Sequence, residues 1–312
     1  MQSDAETPAW LAFKHTPDGR IGEAARDALA ERLRNLPCPV IALAPAGALG
    51  PLIYAADVVV SEERRLPGLI AAIERAPLAA ATLVQVLRAG AGLPIEAALT
   101  LESLAYGVLQ AGPEFAAWRA AQVPLAPPLE AGPPVLMRRR QGALDLLLNR
   151  PLSRNALSAG MRDGLAEALE LVLADPTITR VRLAGAGKCF STGGELSEFG
   201  LAGDPASAHQ VRMRRLPARL LARCAPRVEV MLHGACIGAG VEIPSFAGRV
   251  VAQPDSFFQL PELSMGLIPG AGGTVGIARR IGRQRTAYMA LSGRRLSAAT
   301  ALSWGLIDAL SS

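Results

Sequence analysis

Two glutamates and three glycine-rich turns are the parts of this sequence best suited to chemistry. Glu242 stands between Val241 and Ile243, directly after the turn Gly234-Ala235-Cys236-Ile237-Gly238-Ala239-Gly240. Glu262 stands between Pro261 and Leu263, after the strand-like run Phe257-Phe258-Gln259-Leu260. A carboxyl group buried in such apolar company holds its proton more tightly than in water, because a low dielectric disfavours the charged form. That suits general acid and base work near neutral pH. A helix-capping or salt-bridged glutamate is the alternative reading of either one alone. The remaining turns are Ser191-Thr192-Gly193-Gly194-Glu195 and Gly266-Leu267-Ile268-Pro269-Gly270-Ala271-Gly272-Gly273-Thr274. Small residues let backbone approach a ligand closely, and the free N–H groups where such a turn opens a helix make an anion or oxyanion site. Taken singly, each turn could equally serve packing.

Other chemistries have little raw material. Cys38, Cys189, Cys224 and Cys236 form no CxxC pair, so neither a disulfide framework nor a zinc knuckle is expected, only free buried thiols. His15, His209 and His233 lie far apart without ligand spacing, and no metal site is expected. The net charge of +5 is carried almost wholly by arginine, Lys14 and Lys188 being the only lysines. This balance suits an anionic ligand. The clusters Arg138-Arg139-Arg140, Arg212-Arg214-Arg215 and Arg279-Arg280 lack interleaved aromatics and read as solvated faces rather than a nucleic-acid surface.

The elements that must position these residues fall into two regions. With 312 residues, 50% of them hydrophobic and 19% charged, the chain is in the globular range and long enough for two domains. Residues 122–134 hold five prolines and no apolar periodicity, the composition of a semi-rigid linker. Before it, 1–121 reads as helix-rich, with amphipathic stretches over Ile21 to Arg34, Leu66 to Leu87 and Pro94 to Gln110, one short strand at Val40 to Ala44, and no catalytic grouping. After it, 135–312 alternates strands (Ala143 to Leu148, Val181 to Leu183, Val228 to Leu232, Arg249 to Ala252, Phe257 to Phe258) with helical runs such as Ser158 to Leu173, a pattern of βαβ crossovers and an α/β fold. The uncharged stretch Asn35 to Ala56 is long enough to span a bilayer but is broken by four prolines, so no membrane segment is expected. The acidic start carries no basic region followed by an apolar run, which leads to a cytoplasmic expectation.

Read in order, LLNRPLSRNALS from Leu147, GKCFSTGGELSEF from Gly187, HGACIGAGVEIP from His233 and the long block from Phe257 to Asp308 closely resemble the enoyl-CoA hydratase/isomerase (crotonase) family. The resemblance covers Val135 to Leu310. It implies a ββα spiral core and an oxyanion hole made by the backbone amides of Gly194 and Ala239. It implies hydratase chemistry through Glu242 and Glu262, since isomerases of the family usually keep only the second glutamate. Arg154, Asn155 and Ala156, with Lys188, Ser191, Gly193 and Gly194, correspond to the coenzyme A binding segments. The resemblance further implies no tightly bound cofactor beyond the coenzyme A of the substrate, no nucleic-acid or membrane partner, and assembly as a homotrimer or dimer of trimers. Isomerase, hydrolase or decarboxylase chemistry, or a non-catalytic coenzyme A binding subunit, are the competing expectations.

Two departures stand out. Ile243-Pro244-Ser245-Phe246-Ala247-Gly248 replaces the family's small apolar helix after the first glutamate, and the resemblance stops at WGLIDAL, where relatives continue into helices that cover the site. Ala55 to Val60, Leu69 to Arg88 and Pro94 to Phe115 resemble that missing tail in order, which implies a circularly permuted or rearranged crotonase. Pro39 to Gly50 also echoes the strand and turn before Glu242, without a following glutamate.

Overall fold

The computed structural model describes residues 8–15, 22–123, 128–201 and 203–311. The front region runs β1 (Leu11–Lys14), α1 (Glu23–Arg34), β2 (Val40–Leu43), α2 (Pro51–Ala55) and β3 (Val58–Val60), then the helices α3 (Leu66–Arg75), α4 (Pro77–Gly90), α5 (Ile95–Gln110) and α6 (Pro113–Ala120). Its three strands form a parallel sheet in the order β1-β2-β3, with Leu11 opposite Val40 and Ile41 opposite Val58. Ala30, Leu33, Val40, Ile53 and Ala55 make a small core of their own beneath α1. The helix-rich expectation therefore omits a sheet. Two of its strands, four and three residues long, are too short to betray a period of two. Of Ala55 to Val60, read as the start of a relocated tail, Ala55 ends α2 and Val58–Val60 forms β3.

The run Leu66 to Leu87 also divides. Ala76 takes φ −142° and ψ 62°, because the ring of Pro77 excludes the helical region for the residue before it. The new helix α4 then finds its cap elsewhere: Glu114 of α6 accepts the amides of Leu78 and Ala79 at 2.7 and 2.9 Å, satisfying two of the donors a helix start leaves open.

The back region comprises β4 (Val135–Arg140), β5 (Ala143–Leu148), α7 (Ala159–Ala174), β6 (Arg180–Gly185), α8 (Pro205–Arg215), α9 (Pro217–Cys224), β7 (Val228–Leu232), β8 (Ala235–Ile237) and α10 (Ala239–Glu242). It continues through β9 (Arg249–Ala252), β10 (Phe257–Gln259), α11 (Gly273–Ile281), α12 (Arg283–Ser292), β11 (Leu296–Ser297), α13 (Ala298–Trp304) and β12 (Ala309–Leu310). The larger sheet has the order β12-β9-β7-β6-β5-β4, parallel except for β4, and the smaller one β11-β10-β8. Alternation in β5 turns Leu144, Leu146 and Leu148 inward against α7. Arg138, Arg139 and Arg140 lie exposed on β4, where charge discourages pairing with another strand edge. Of the linker, 124–127 lies outside the described residues.

The front helices lie directly on the back region. α4 packs on α11 and α12, α5 on α8, α9 and α11, and α6 on the turn that holds Glu262. Leu83, Leu99 and Phe115 share one continuous core with Val275, Leu291 and Phe258. A buried ion pair adds a polar joint: Asp57 receives Arg88 from α4, Arg283 from α12 at 2.6 Å and the amide of Val40 at 2.9 Å. Among the described residues no single helix is long and apolar enough to cross a membrane.

Candidate active site

The second glycine turn folds as it does because each position admits backbone and little else. Gly238 sits at φ 51°, ψ −124°, outside the regions open to residues with a side chain. A Cβ there would stand 2.7 Å from an oxygen of Glu262 and 3.9 Å from Oε1 of Glu242. Both carboxylates therefore face the same glycine. Its amide donates to Gln259, which ties the turn to β10, and the next residue, Ala239, opens the single turn of α10 that ends at Glu242.

Glu242 is buried, and its Oε2 accepts the amides of Ala271 at 2.8 Å and Gly273 at 2.9 Å. Oε1 is left on the side of Gly238. Burial raises its proton affinity and the two amides oppose the rise, leaving its pKa at about 7. Glu262 begins a tight turn, Glu262–Met265, closed by Gly266 in the left-handed conformation. Its Oε2 is buried with no hydrogen-bond partner among the described residues. Burial first, and the charge of Glu242 second, push its pKa well above the ordinary carboxylate range.

A third carboxylate joins them. Glu102 of α5 is buried, and it accepts the amide of Gly272 at 2.7 Å, the amide of Thr274 at 2.9 Å and the Thr274 hydroxyl at 2.6 Å. Burial and the nearby Glu242 raise its pKa to about 8. The front region thus does supply a titratable group to this site, contrary to its reading as free of catalytic groupings. The missed signal was a single charged residue on the apolar stripe Ala98, Leu99, Glu102, Leu109 of a helix.

The first glycine turn is locked by its own polar groups. Ser191 donates its hydroxyl to the carbonyl of Asn155 and accepts the amide of Gly193, while the amide of Glu195 goes to Leu157. Among the described residues, neither Gly194 nor Ala239 donates its amide in a turn or loop bond. The ring of Phe199 covers Gly194 so closely that a Cβ there would lie 2.6 Å from it. Phe199 continues to Trp118 and Phe115 of α6, with ring centroids 6.2 and 5.7 Å apart. A cavity of about 740 Å³ opens nearby, between Pro113 and Trp118 of α6 and Gln259, Pro261 and Leu263.

The coenzyme A candidates divide by role. Arg154 and Lys188 are exposed. Asn155 is buried, and its side chain is consumed internally by Arg150, Ala186 and Cys189. Its amide and that of Ala156 close the turn onto Arg150 and Ser153. Asn155, Ala156 and Ser191 therefore hold the loop in shape and offer no side-chain donor to a ligand. Arg154 and Asn155 both take positive φ, 53° and 51°, a conformation the Asn155 side-chain bonds secure.

Residues 138–312 match the model of the family described as enoyl-CoA hydratase/isomerase. The chain belongs to that family. It is 34% identical to the 2,3-dehydroadipyl-CoA hydratase of Escherichia coli (strain K12) over 56% of this chain and 68% of that protein. It is 32% identical to the mevalonyl-coenzyme A hydratase SIDH of Beauveria bassiana (strain ARSEF 2860) over 53% of this chain and 62% of that one. The crystal structure of enoyl-CoA hydratase from Thermoplasma volcanium GSS1 superposes with a TM-score of 0.53 at 31% identity, covering 58% of this chain and 72% of that structure. The α/β core is thus crotonase-like, and the chain spans about two thirds of the curated relatives it matches.

Proposed function

We propose that this protein catalyses the reversible hydration of a 2-enoyl-CoA thioester. The observation that carries the reading is the asymmetry of two buried carboxylates facing one glycine: two amides hold Glu242, and none among the described residues holds the buried Oε2 of Glu262. Carboxyl groups whose environments push their proton affinities apart divide into a base and an acid. Glu242, the more easily ionised, takes a proton from the water that adds to the β-carbon. Glu262, which keeps its proton, delivers it to the α-carbon, so the carbon–carbon double bond gains H and OH and each carboxyl group exchanges one proton.

The thioester oxygen, which carries the enolate charge between these steps, accepts from the amides of Gly194 and Ala239. Arg154 and Lys188, both exposed, meet the phosphates of coenzyme A, which enters only as part of the substrate. The front helices serve as the family's tail helices do, covering the site from a different place in the sequence; the packing of α5 on α11 and of α6 on the Glu262 turn supports this. Turnover of a panel of 2-enoyl-CoA thioesters, followed by loss of conjugated-thioester absorbance, tests the reading. Absence of turnover across chain lengths, with coenzyme A binding intact, defeats it.

A further inference from the structure

The turn from Ala271 to Thr274 is gripped from both sides. Its four successive amides alternate between two carboxylates: Ala271 and Gly273 donate to Glu242, Gly272 and Thr274 to Glu102. Glu102 comes from α5, some 170 residues away in sequence, and adds the Thr274 hydroxyl to its bonds. The arrangement fixes Oε2 of Glu242 on this turn. Gly273 lies so close that a Cβ would touch the Glu242 Cγ at 2.8 Å, so any shift of the turn moves the carboxylate with it.

We propose that Glu102 is a positioning residue for Glu242: by holding the alternate amides of the same turn, Glu102 fixes which Glu242 oxygen faces the substrate. The assignment rests on the hydratase reading for its kinetic consequence but not for its structural one. The groups facing Glu102 from the packed elements are Glu242, Glu262, Tyr106 and Arg212. Tyr106 follows on the same helix, its ring against Gly270, and the Arg212 guanidinium of α8 lies 5.0 Å over that ring while bonding Ser103 and Gln110. Arg212 is the one cation of the set; it bonds Ser103, lies over Tyr106 and also feels the charge of Glu102. Burial is the larger cause of the raised proton affinity of both Glu102 and Glu242, and such a neighbouring pair titrates as a unit.

The test compares Glu102→Gln, Glu102→Asp and Thr274→Val with the wild type. Glu102→Gln removes the charge and one acceptor. It is expected to lower kcat for 2-enoyl-CoA hydration about 10- to 100-fold, with KM changed less than about threefold, because one of the amides it holds is released and Glu242 is presented less firmly. Glu102→Asp, which keeps both carboxylate oxygens, recovers part of the lost kcat. Thr274→Val keeps both carboxylates and removes one bond, so it remains informative if Glu102→Gln fails to fold; it lowers kcat by less, again with KM nearly unchanged. An unchanged kcat in both Glu102→Gln and Thr274→Val, or a fall in kcat matched by an equal change in KM, reduces Glu102 to a structural residue and overturns the proposal.

A second measurement does not need turnover: the thermal midpoint at acid and alkaline pH for Glu102→Gln, Glu242→Gln and the double variant. Non-additive pH dependence supports the pairing even in a protein without hydratase activity. Strict additivity overturns it even in an active one.

Discussion

At the scale of single residues the site is a contest between burial and backbone amides. Among the described residues Glu242 receives two amides, Glu102 two amides and a hydroxyl, and the buried oxygen of Glu262 none. Glu262→Gln and Glu242→Gln are each expected to lower hydration by about 10²–10⁴-fold while leaving thioester binding nearly unchanged, because the amide keeps the shape and loses the proton chemistry. Two groups acting on one water are non-additive, so the double variant is little worse than the poorer single one. A damaging Glu262→Gln beside a silent Glu242→Gln redefines the enzyme as an isomerase.

The same carboxylates predict how stability depends on pH. All three hold their protons more tightly in the folded chain than a carboxyl of about 4.3 does in the unfolded one. Their contribution is fully present below the unfolded value and is lost as pH rises through the folded ones, which for Glu242 and Glu102 are about 7 and about 8. The thermal midpoint of the wild type is therefore expected to fall between about pH 4.3 and about pH 8, the unfolded and folded values, and Glu242→Gln to flatten that fall. A wild-type midpoint that rises over this range contradicts the assignment. Glu242 and Glu262 were legible in sequence because each borders a glycine or proline turn in an apolar run. Glu102 was not, since a lone glutamate in an alanine- and leucine-rich helix carries no local mark of the distant turn it binds.

At the scale of elements, boundaries written in local chemistry were legible. The strands Val228–Leu232 and Arg249–Ala252 fall where largely apolar runs end at glycine or proline turns. Elements defined by distant partners were not: β1 and β3 exist only because β2 offers both its edges, and α4 starts where Glu114 caps it. The ion pair around Asp57 is of this second kind. Asp57 is 1% exposed and joins β2, α4 and α12. Asp57→Ala strands two arginines and a strand amide, and removing one partner of a buried pair costs about 3–5 kcal/mol. Chemical denaturation measures this directly, and a change below about 1 kcal/mol, the size typical of surface pairs, removes Asp57 from the joint.

At the scale of the whole molecule, segments far apart along the chain meet at the site. The helices that approach the Glu242 and Glu262 turns come from before the proline-rich segment, and the turns from after it. Packing tolerates such rearrangement because burial depends on which faces meet and not on how they are connected. One core runs through both regions: Leu99 of α5 is fully buried in the same cluster as Val275 of α11 and Leu291 of α12. Each region, taken alone, would expose the face the other covers. The two are therefore expected to unfold together. Leu99→Ala, a change in the front helices, is expected to cost about 2–5 kcal/mol and to shift a single transition that intrinsic fluorescence, far-ultraviolet circular dichroism and loss of coenzyme A binding all follow. Saturating coenzyme A, proposed to meet Arg154 and Lys188 of the back region, should raise the midpoint of that same transition by mass action. Two resolved transitions, with Leu99→Ala moving only one and coenzyme A only the other, would mean that the front helices fold by themselves and that the shared core is not what binds them to the site.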